Sequence, residues 1–295
     1  MSFLLTTLTV AAITTAAILL GTGVLHGLPR LGTAGKKVSA WLCRGFGLDL
    51  VVTYFTALPL ILGPVFAGWA GLLGGLLGQY LGLIGWTVAH ELRHRQTTQR
   101  RPRIVRSMNA AVGAPLNMIS VFWTSLAVPV FWVIRMTEWI VYPPLVWMVD
   151  LPRYDSRDWV NVTRHKFDGL VGHDRVWCLY CDWMTGVWSM GSEMLRNIET
   201  YWCPIQFGDT SKCANCRHDF PDVEERWVPF NSDVGVAAKA WEQHYGKDGE
   251  VSPRSWWGHP SRVPLHVNGR VQEPSADDNI AAESAENHAE APAAR

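Results

Sequence analysis

The hydrophobic pattern divides the chain into an apolar first half and a mixed, more polar second half. The first apolar run, 3–25, holds no charged residue and is long enough to cross a hydrocarbon core of about 30 Å as a helix. Two more runs follow at 48–69 and 70–89. Because Pro64 and Gly68 lie near their junction, where such residues favour a tight turn, the pattern predicts one membrane helix followed by a helical hairpin.

Glycine recurs along the third run at a spacing that lets helices approach closely. The glycines are Gly71, Gly74, Gly75, Gly78, Gly82 and Gly85. Two G-x-x-x-G pairs among them, Gly71 with Gly75 and Gly78 with Gly82, offer surfaces on which another helix packs. We therefore expect close helix–helix contacts along this run.

Residues 110–149 admit two interpretations. The uncharged run 110–134 is long enough for a fourth span, which would place the second half of the chain outside. Alternatively, two half-length or interfacial helices bend at Arg135 and Glu138 and return the chain to the cytoplasm. We favour the return, because four tryptophans suit interfacial helices. They are Trp123, Trp132, Trp139 and Trp147.

Basic residues set the expected orientation. They follow the first and the third apolar runs, at Arg30, Lys36, Lys37, Arg44, Arg93, Arg95, Arg100, Arg101, Arg103 and Arg106. No Lys or Arg precedes the first run or lies in the hairpin turn. The positive-inside rule then predicts a multi-pass inner-membrane protein with its N-terminus outside and both basic segments in the cytoplasm.

Overall charge limits the expected partners. The chain has 26 basic and 26 acidic residues and therefore no net charge, which argues against a general nucleic-acid binder. Attraction to anionic lipid at the membrane surface explains the basic segment 93–106. The lipid bilayer is thus the first expected partner, and we expect no nucleic acid.

Cysteine spacing in the second half predicts a metal site. Two C-x2-C pairs occur, at Cys178, Cys181, Cys213 and Cys216. Each pair would place two sulfurs on one side of a tight turn, and two pairs would complete the tetrahedral thiolate site that zinc prefers. Cys203 and His218 are alternative ligands. Iron is the alternative cofactor, and disulfides would replace the metal if this segment lies outside the cytoplasm.

A possible catalytic motif ends the third run. Within Thr87–His94, His90 and His94 would lie one turn apart on a helix and could hold one metal, with Glu91 as general base toward a bound water. This motif resembles the zinc-binding helix of zincin metallopeptidases. The run Ala89–Arg95 also resembles the first histidine box of membrane-bound fatty acid desaturases and alkane hydroxylases, which implies a metal at the cytoplasmic end of a membrane helix.

Further ligands for that metal would have to come from elsewhere in the chain. Asp49 begins the second run, and the hairpin would bring it to the same membrane face as the histidines, completing a three-ligand set with an open position. The alternative is that Asp49 pairs with Arg93 or Arg95 at the interface. Three more candidates follow in sequence, at His165, Asp168 and His173.

These features predict a mainly α-helical fold: an integral membrane bundle of three or four spans and a small, cysteine-rich, zinc-ribbon-like C-terminal domain. Helical periodicity is expected within 182–202, at Trp183, Val187, Met190, Met194 and Ile198. The expected divisions are 1–47, 48–107, 108–150, the cysteine-rich domain 151–230, an irregular extension 231–273 and a disordered tail 274–295.

The leading functional expectation is a membrane-anchored, zinc-stabilised scaffold or assembly component that binds another membrane or cytoplasmic protein. Arg93 adds a fixed positive charge to the histidine turn and opposes binding of a divalent cation, so a metallohydrolase using Glu91 is the alternative, with a di-iron oxygenase less favoured. A thiol or iron redox protein is the third class. Whether the protein is an enzyme stays open at this point.

Overall fold

The computed structural model describes residues 2–100, 102–164, 169–203, 205, 228–229, 231–245, 266–267 and 270–271. The described chain is mostly helical, which confirms the predicted class. Its internal contacts divide it into two units, which are described separately. One comprises Met1–Val141 and Tyr154–Gly191, and the other comprises Tyr142–Arg153 and Ser192–Arg295.

Helices account for nearly all of the regular structure described. In chain order they are α1 Phe3–Gly27, α2 Gly32–Leu42, α3 Gly45–Val52, α4 Leu58–Arg93, α5 Arg95–Arg100, α6 Ile104–Val112, α7 Ala114–Ser125, α8 Val128–Ile140, α9 Tyr142–Val149, α10 Ser156–Trp159, α11 Gly172–Trp202 and α12 Val234–Tyr245. A 3₁₀ turn, Leu28–Arg30, follows α1, and a π-helical turn, Thr53–Ala57, joins α3 to α4. Two short strands, β1 His266–Val267 and β2 Arg270–Val271, pair antiparallel.

Within the described residues, three segments are long and apolar enough to cross a membrane: Phe3–Arg30, Gly45–Arg93 and Ala114–Val149. The second is 49 residues long, about twice the length that one crossing requires. It bends sharply at Ala67 and Gly68, where Gly68 has a φ of +54°, a conformation that glycine adopts without the steric cost of a Cβ.

Contacts across that bend show a helical hairpin. Gly63 and Gly71 are so close that a Cβ on Gly71 would collide with the Gly63 carbonyl, and a Cβ on Gly75 would lie 2.9 Å from the Pro59 carbonyl oxygen. One more turn along, the Gln79 amide donates to the Thr56 carbonyl at 2.6 Å. The two limbs therefore run antiparallel in one register, as the sequence predicts.

Helix α1 packs on the hairpin through a second glycine surface. A Cβ on Gly78 would lie 2.6 Å from both the Ala11 carbonyl oxygen and the Thr14 Cβ. The Thr15 hydroxyl donates to the Gly78 carbonyl at 3.1 Å, and the Tyr54 hydroxyl donates to the Ala17 carbonyl at 2.6 Å. The glycines of α4 thus serve two neighbours, the other hairpin limb and α1.

The third candidate span is built from three helices, α7, α8 and α9, each with proline in its first turn. Proline is tolerated there because the first helical N–H groups have no intrahelical acceptor. The Tyr80 and Ser125 hydroxyls are hydrogen-bonded at 2.9 Å, and the Trp132 indole N–H donates to the Thr56 hydroxyl at 3.4 Å. These contacts dock α7 and α8 on the hairpin.

Helix α11 begins ten residues earlier than the predicted periodic segment, at Gly172. The predicted apolar face is buried at Trp183, Val187 and Met190. The Trp183 and Trp132 rings lie 5.2 Å apart, so this part of α11 packs on α8.

The second unit has its own contacts. The Trp241 indole of α12 donates to the Tyr201 carbonyl near the end of α11 at 2.7 Å, and the Tyr142 hydroxyl of α9 donates to the Pro152 carbonyl at 3.0 Å. The predicted extension 231–273 thus contains α12 and the β1–β2 pair. The predicted tail 274–295 lies outside the described residues.

Replacing Gly78 by alanine tests the packing between α1 and α4. Because the new Cβ would meet backbone and side-chain atoms of α1 at 2.6 Å, we expect Gly78→Ala to destabilise the folded protein by about 1–3 kcal/mol. The matched control is Gly85→Ala, whose Cβ would have its nearest neighbour at 3.9 Å. Unfolding in non-ionic detergent provides the measurement, and equal stability of the two variants would contradict this packing.

Candidate functional site

The two histidines of the motif lie together at the end of α4. The His90 and His94 ring centroids are 4.5 Å apart, as expected for one helical face. Trp86 lies one turn before His90, with ring centroids 4.8 Å apart, and His26 of α1 approaches His90 to 6.1 Å. His90 is buried, whereas His26 and His94 are exposed.

A backbone contact decides the protonation form of His90. The Gly172 N–H, at the start of α11, donates to His90 Nδ1 at 3.1 Å. Because an N–H group can only donate, Nδ1 carries no proton, and the neutral ring carries its proton on Nε2. In a metal-binding histidine, one ring nitrogen donates its N–H to a neighbouring group, and the other, unprotonated nitrogen binds the metal. In His90 the unprotonated nitrogen, Nδ1, accepts from Gly172 instead, so the ring is left with a donor at Nε2.

The Glu91 carboxylate is occupied by structural contacts. Its Oε1 accepts from Arg103 Nη2 at 2.8 Å and from the His173 backbone N–H at 3.4 Å. Gly172 has a φ of +54°, and a Cβ there would come closer to the Glu91 side chain than van der Waals contact allows, so glycine is favoured at the start of α11. Glu91, the residue that the motif would use as a base, therefore joins α4 to α11.

Arg103 is the centre of this junction. It is buried, and its guanidinium also donates to Asp174 Oδ2 at 2.8 Å and to the Val171 carbonyl at 3.0 Å. Asp174 in turn accepts from the Val105 N–H at 3.0 Å, in the first turn of α6. We call Arg103, Glu91 and Asp174 the first arginine network.

The charge state of Asp174 follows from these contacts. Burial alone would raise the pKa of Asp174, but the neighbouring His173, the Arg103 guanidinium and the Val105 N–H lower the pKa to about 2. Asp174 is therefore ionised at neutral pH. Arg103 is consequently shared by two carboxylates, one from α4 and one from α11.

Asp49 lies in a second network of the same kind. Its Oδ2 accepts from Arg135 Nε at 3.0 Å and from Arg135 Nη2 at 2.7 Å, and its Oδ1 accepts from the Trp183 indole N–H at 2.9 Å. Arg135 also donates to Glu138 Oε2. We call Asp49, Arg135 and Glu138 the second arginine network; all three side chains are at most 2% exposed.

The three-ligand set expected from sequence is not assembled. Asp49 pairs with Arg135, neither with the histidines nor with Arg93 or Arg95. Within the described residues, no group of three His, Cys, Asp or Glu side chains could hold a metal ion. The physical reason is that a buried carboxylate needs an opposite charge nearby, and Arg135 provides it on α8.

Sequence reasoning missed the arginine partners. Arg135 and Glu138 were expected only at a bend, although a cation and an acid three residues apart in an apolar stretch are a signal of a buried pair. Arg103 was counted with the basic segment, but it is buried while Arg93 and Arg95 are exposed. Nothing in the local sequence distinguishes the buried Arg103 from the exposed Arg93 and Arg95.

Cys178 and Cys181 both lie within α11, not in the tight turn that a zinc ribbon would place between them. They are free, half-buried thiols one helical turn apart. Burial raises the pKa of the Cys178 thiol above its usual value, and the nearby Arg164 guanidinium offsets this only in part. Cys203, just after α11, is free and exposed.

The other predicted ligands divide into two groups. The His173 Nε2 accepts from the Trp177 indole at 3.0 Å, so this nitrogen is bonded to a residue one turn further along α11. The rest lie outside the described residues: His165, Asp168, Cys213, Cys216 and His218.

Comparisons with protein-family models, with curated proteins and with solved structures gave no match. Within the structure, α11 and its cysteine pair are fastened to the ends of the membrane hairpin by the first arginine network and by the hydrogen bond from Trp183 to Asp49 of the second.

The second arginine network predicts unequal effects of two isosteric substitutions. Asp49→Asn replaces one of the two oxygens that accept from Arg135 and Trp183 by an NH2 donor, which leaves a buried donor without an acceptor, so we expect a loss of about 1–3 kcal/mol of stability. Glu138→Gln keeps an acceptor for Arg135 and leaves one carboxylate per guanidinium, so we expect less than about 1 kcal/mol. Unfolding of both variants in detergent measures the difference, and a larger loss for Glu138→Gln would refute this ranking.

Proposed function

We propose that the protein is a membrane-anchored, zinc-stabilised binding or assembly component. The observation that carries this proposal is the double attachment of α11 to the membrane helices, through Asp174 in the first arginine network and through the hydrogen bond from Trp183 to Asp49 of the second. Except for Glu91, whose side chain is 31% exposed, the charged groups of both networks are buried, and separating them would leave uncompensated charge in a poorly solvated place. A helix held in this way serves as a platform for whatever follows it in the chain.

The cysteine pair supports the metal part of the proposal. Cys178 and Cys181 lie in the part of α11 fastened to the hairpin, with both thiols free, half-buried and one turn apart. Two sulfurs at this spacing supply half of a tetrahedral thiolate site. Cys213 and Cys216 would complete it, with Cys203 or His218 as substitutes and iron as the alternative metal. The platform would then present a metal-bound unit to another membrane or cytoplasmic protein.

The alternative enzyme is less well supported. A metallohydrolase at the α4 end needs a free base and a histidine lone pair directed at the metal. Glu91 is instead paired with Arg103, and His90 accepts from Gly172. Both groups thus serve the attachment of α11.

The same contacts support one choice of topology. Gly172 and Trp183 of α11 reach His90 and Asp49 respectively, and these residues lie near opposite ends of the hairpin segment. Because the two α11 residues are only about 16 Å apart along the helix, both hairpin ends lie on one side. We infer that α7 and α8 do not carry the chain across the membrane, and that α11 lies on the side of the basic segments, in the cytoplasm by the positive-inside rule.

Metal content per chain tests the zinc proposal. We expect about one zinc per purified wild-type chain, and its loss in the double variant Cys178→Ser/Cys181→Ser. Cys43→Ser is the matched control, because Cys43 is also a free, half-buried thiol but lies outside the proposed set. Retention of the metal in the double variant would refute the site. Iron, detected by colour and elemental analysis, would favour the redox class.

Sidedness is tested by reporters fused at two places. A fusion after residue 100 reports the first basic segment after the hairpin, and a fusion after residue 245 reports the end of α12. We expect the same side for both, because α11 lies at the hairpin ends. A cytoplasmic result for the first and an external result for the second would show that 114–149 crosses the membrane, and the topology would be wrong.

A further inference from the structure

The histidines at the end of α4 have a feature that the attachment of α11 does not use. His90 is 8% exposed, and its Nδ1 is occupied by the Gly172 N–H, which places the proton on Nε2. Within the described residues, no hydrogen bond satisfies that Nε2–H. The Nε2 atom is not fully enclosed by the protein, so its N–H is free to donate to a ligand that brings an acceptor.

Other donors surround His90. His94 and His26 flank its ring at centroid distances of 4.5 Å and 6.1 Å, and Arg175 at the start of α11 lies close enough to interact with it electrostatically. The His26 Nδ1–H donates to the Thr22 carbonyl at 2.9 Å, so the Nε2 of the neutral His26 ring is an acceptor, and the available donors are His90, His94 and Arg175. We call His26, His90, His94 and Arg175 the histidine cluster.

The local charge is positive after the neighbouring acids are counted. The first arginine network has two carboxylates and one guanidinium, so it carries one negative charge in excess. Arg175 balances that charge. Two exposed arginines at the end of α4 and the start of α5 then remain as an excess of positive charge: Arg93 and Arg95.

Position and charge together indicate the class of ligand. The cluster joins the ends of two segments long enough to cross a membrane, where phospholipid headgroups lie, and Trp86 stands one turn deeper, as aromatic residues do at the bilayer interface. Phosphate oxygens accept several hydrogen bonds at once and carry negative charge. We propose that the histidine cluster binds a phosphate group, such as an anionic phospholipid headgroup presents.

This site is independent of the cysteine proposal, because none of its residues belongs to the proposed zinc set. Both proposals can therefore fail separately. A protein that has lost its zinc through Cys178→Ser/Cys181→Ser is expected to keep its phosphate site.

Lipid-dependent thermal stabilisation of the full chain in dodecyl maltoside provides the test, since a ligand that binds the folded state raises its apparent stability. The probes are dioleoyl phosphatidic acid, dioleoyl phosphatidylcholine and inorganic phosphate. We expect phosphatidic acid to stabilise at lower concentration than phosphatidylcholine. His94→Asn/Arg175→Gln should raise the half-saturating concentration about tenfold or more, through loss of two donors to a charged acceptor.

The matched control removes more positive charge elsewhere. Lys36→Gln/Lys37→Gln changes two exposed cations on α2, and we expect it to alter the half-saturating concentration by less than about twofold. Equal weakening by the two double variants, or none by His94→Asn/Arg175→Gln, overturns the proposal. Stabilisation by inorganic phosphate alone, lost in His94→Asn/Arg175→Gln, supports the site with a soluble phosphate as its source. Stabilisation by lipid without an effect of inorganic phosphate supports the headgroup.

Discussion

Two buried arginines, each shared by two carboxylates, hold the described structure together where the membrane hairpin ends. Arg103 joins Glu91 of α4 to Asp174 of α11, and Arg135 joins Asp49 of α3 to Glu138 on its own helix. A guanidinium suits this position because it stays charged and offers donors in several directions. Removing Arg135 would leave two buried carboxylates without a counter-charge, and removing Arg103 would leave the buried Asp174 and the half-buried Glu91 without one. Either loss is far more costly than losing an exposed ion pair.

The membrane helices make this arrangement possible by packing closely. Glycines on α4 admit the other hairpin limb on one surface and α1 on another, so the hairpin ends are held at a defined separation. Lipid supplies little hydrophobic drive between helices, and close van der Waals contact at small residues takes its place. Because the hairpin ends are held in place, α11 contacts both of them, His90 through the Gly172 N–H and Asp49 through the Trp183 indole.

The proposed functions use different faces of this junction. The zinc proposal depends on Cys178 and Cys181, which α11 carries beside the attachment, and the phosphate proposal depends on donors around His90. Neither proposal uses the carboxylates that first suggested an enzyme, because these carboxylates have structural partners. Glu91 and Asp49 are the clearest cases, since each carboxylate is neutralised by an arginine distant in sequence.

Sequence reasoning was most successful where local pattern determines structure. Apolar run length predicted the membrane segments, chain breakers predicted the bend at Gly68, and a repeat of three to four residues predicted the buried face at Trp183, Val187 and Met190. It also placed His90 beside His94, because residues four apart on a helix are neighbours. It was wrong about the partner of Asp49 and about a turn between Cys178 and Cys181.

The sequence by itself therefore determined the class of the protein, its helices and the residues able to do chemistry. The tertiary structure alone decided what those residues contact. Helix formation depends on neighbours a few positions away, whereas the state of a buried carboxylate or imidazole depends on which donor lies against it. Those donors, Arg103 for Glu91, Arg135 for Asp49 and Gly172 for His90, come from other elements of the fold.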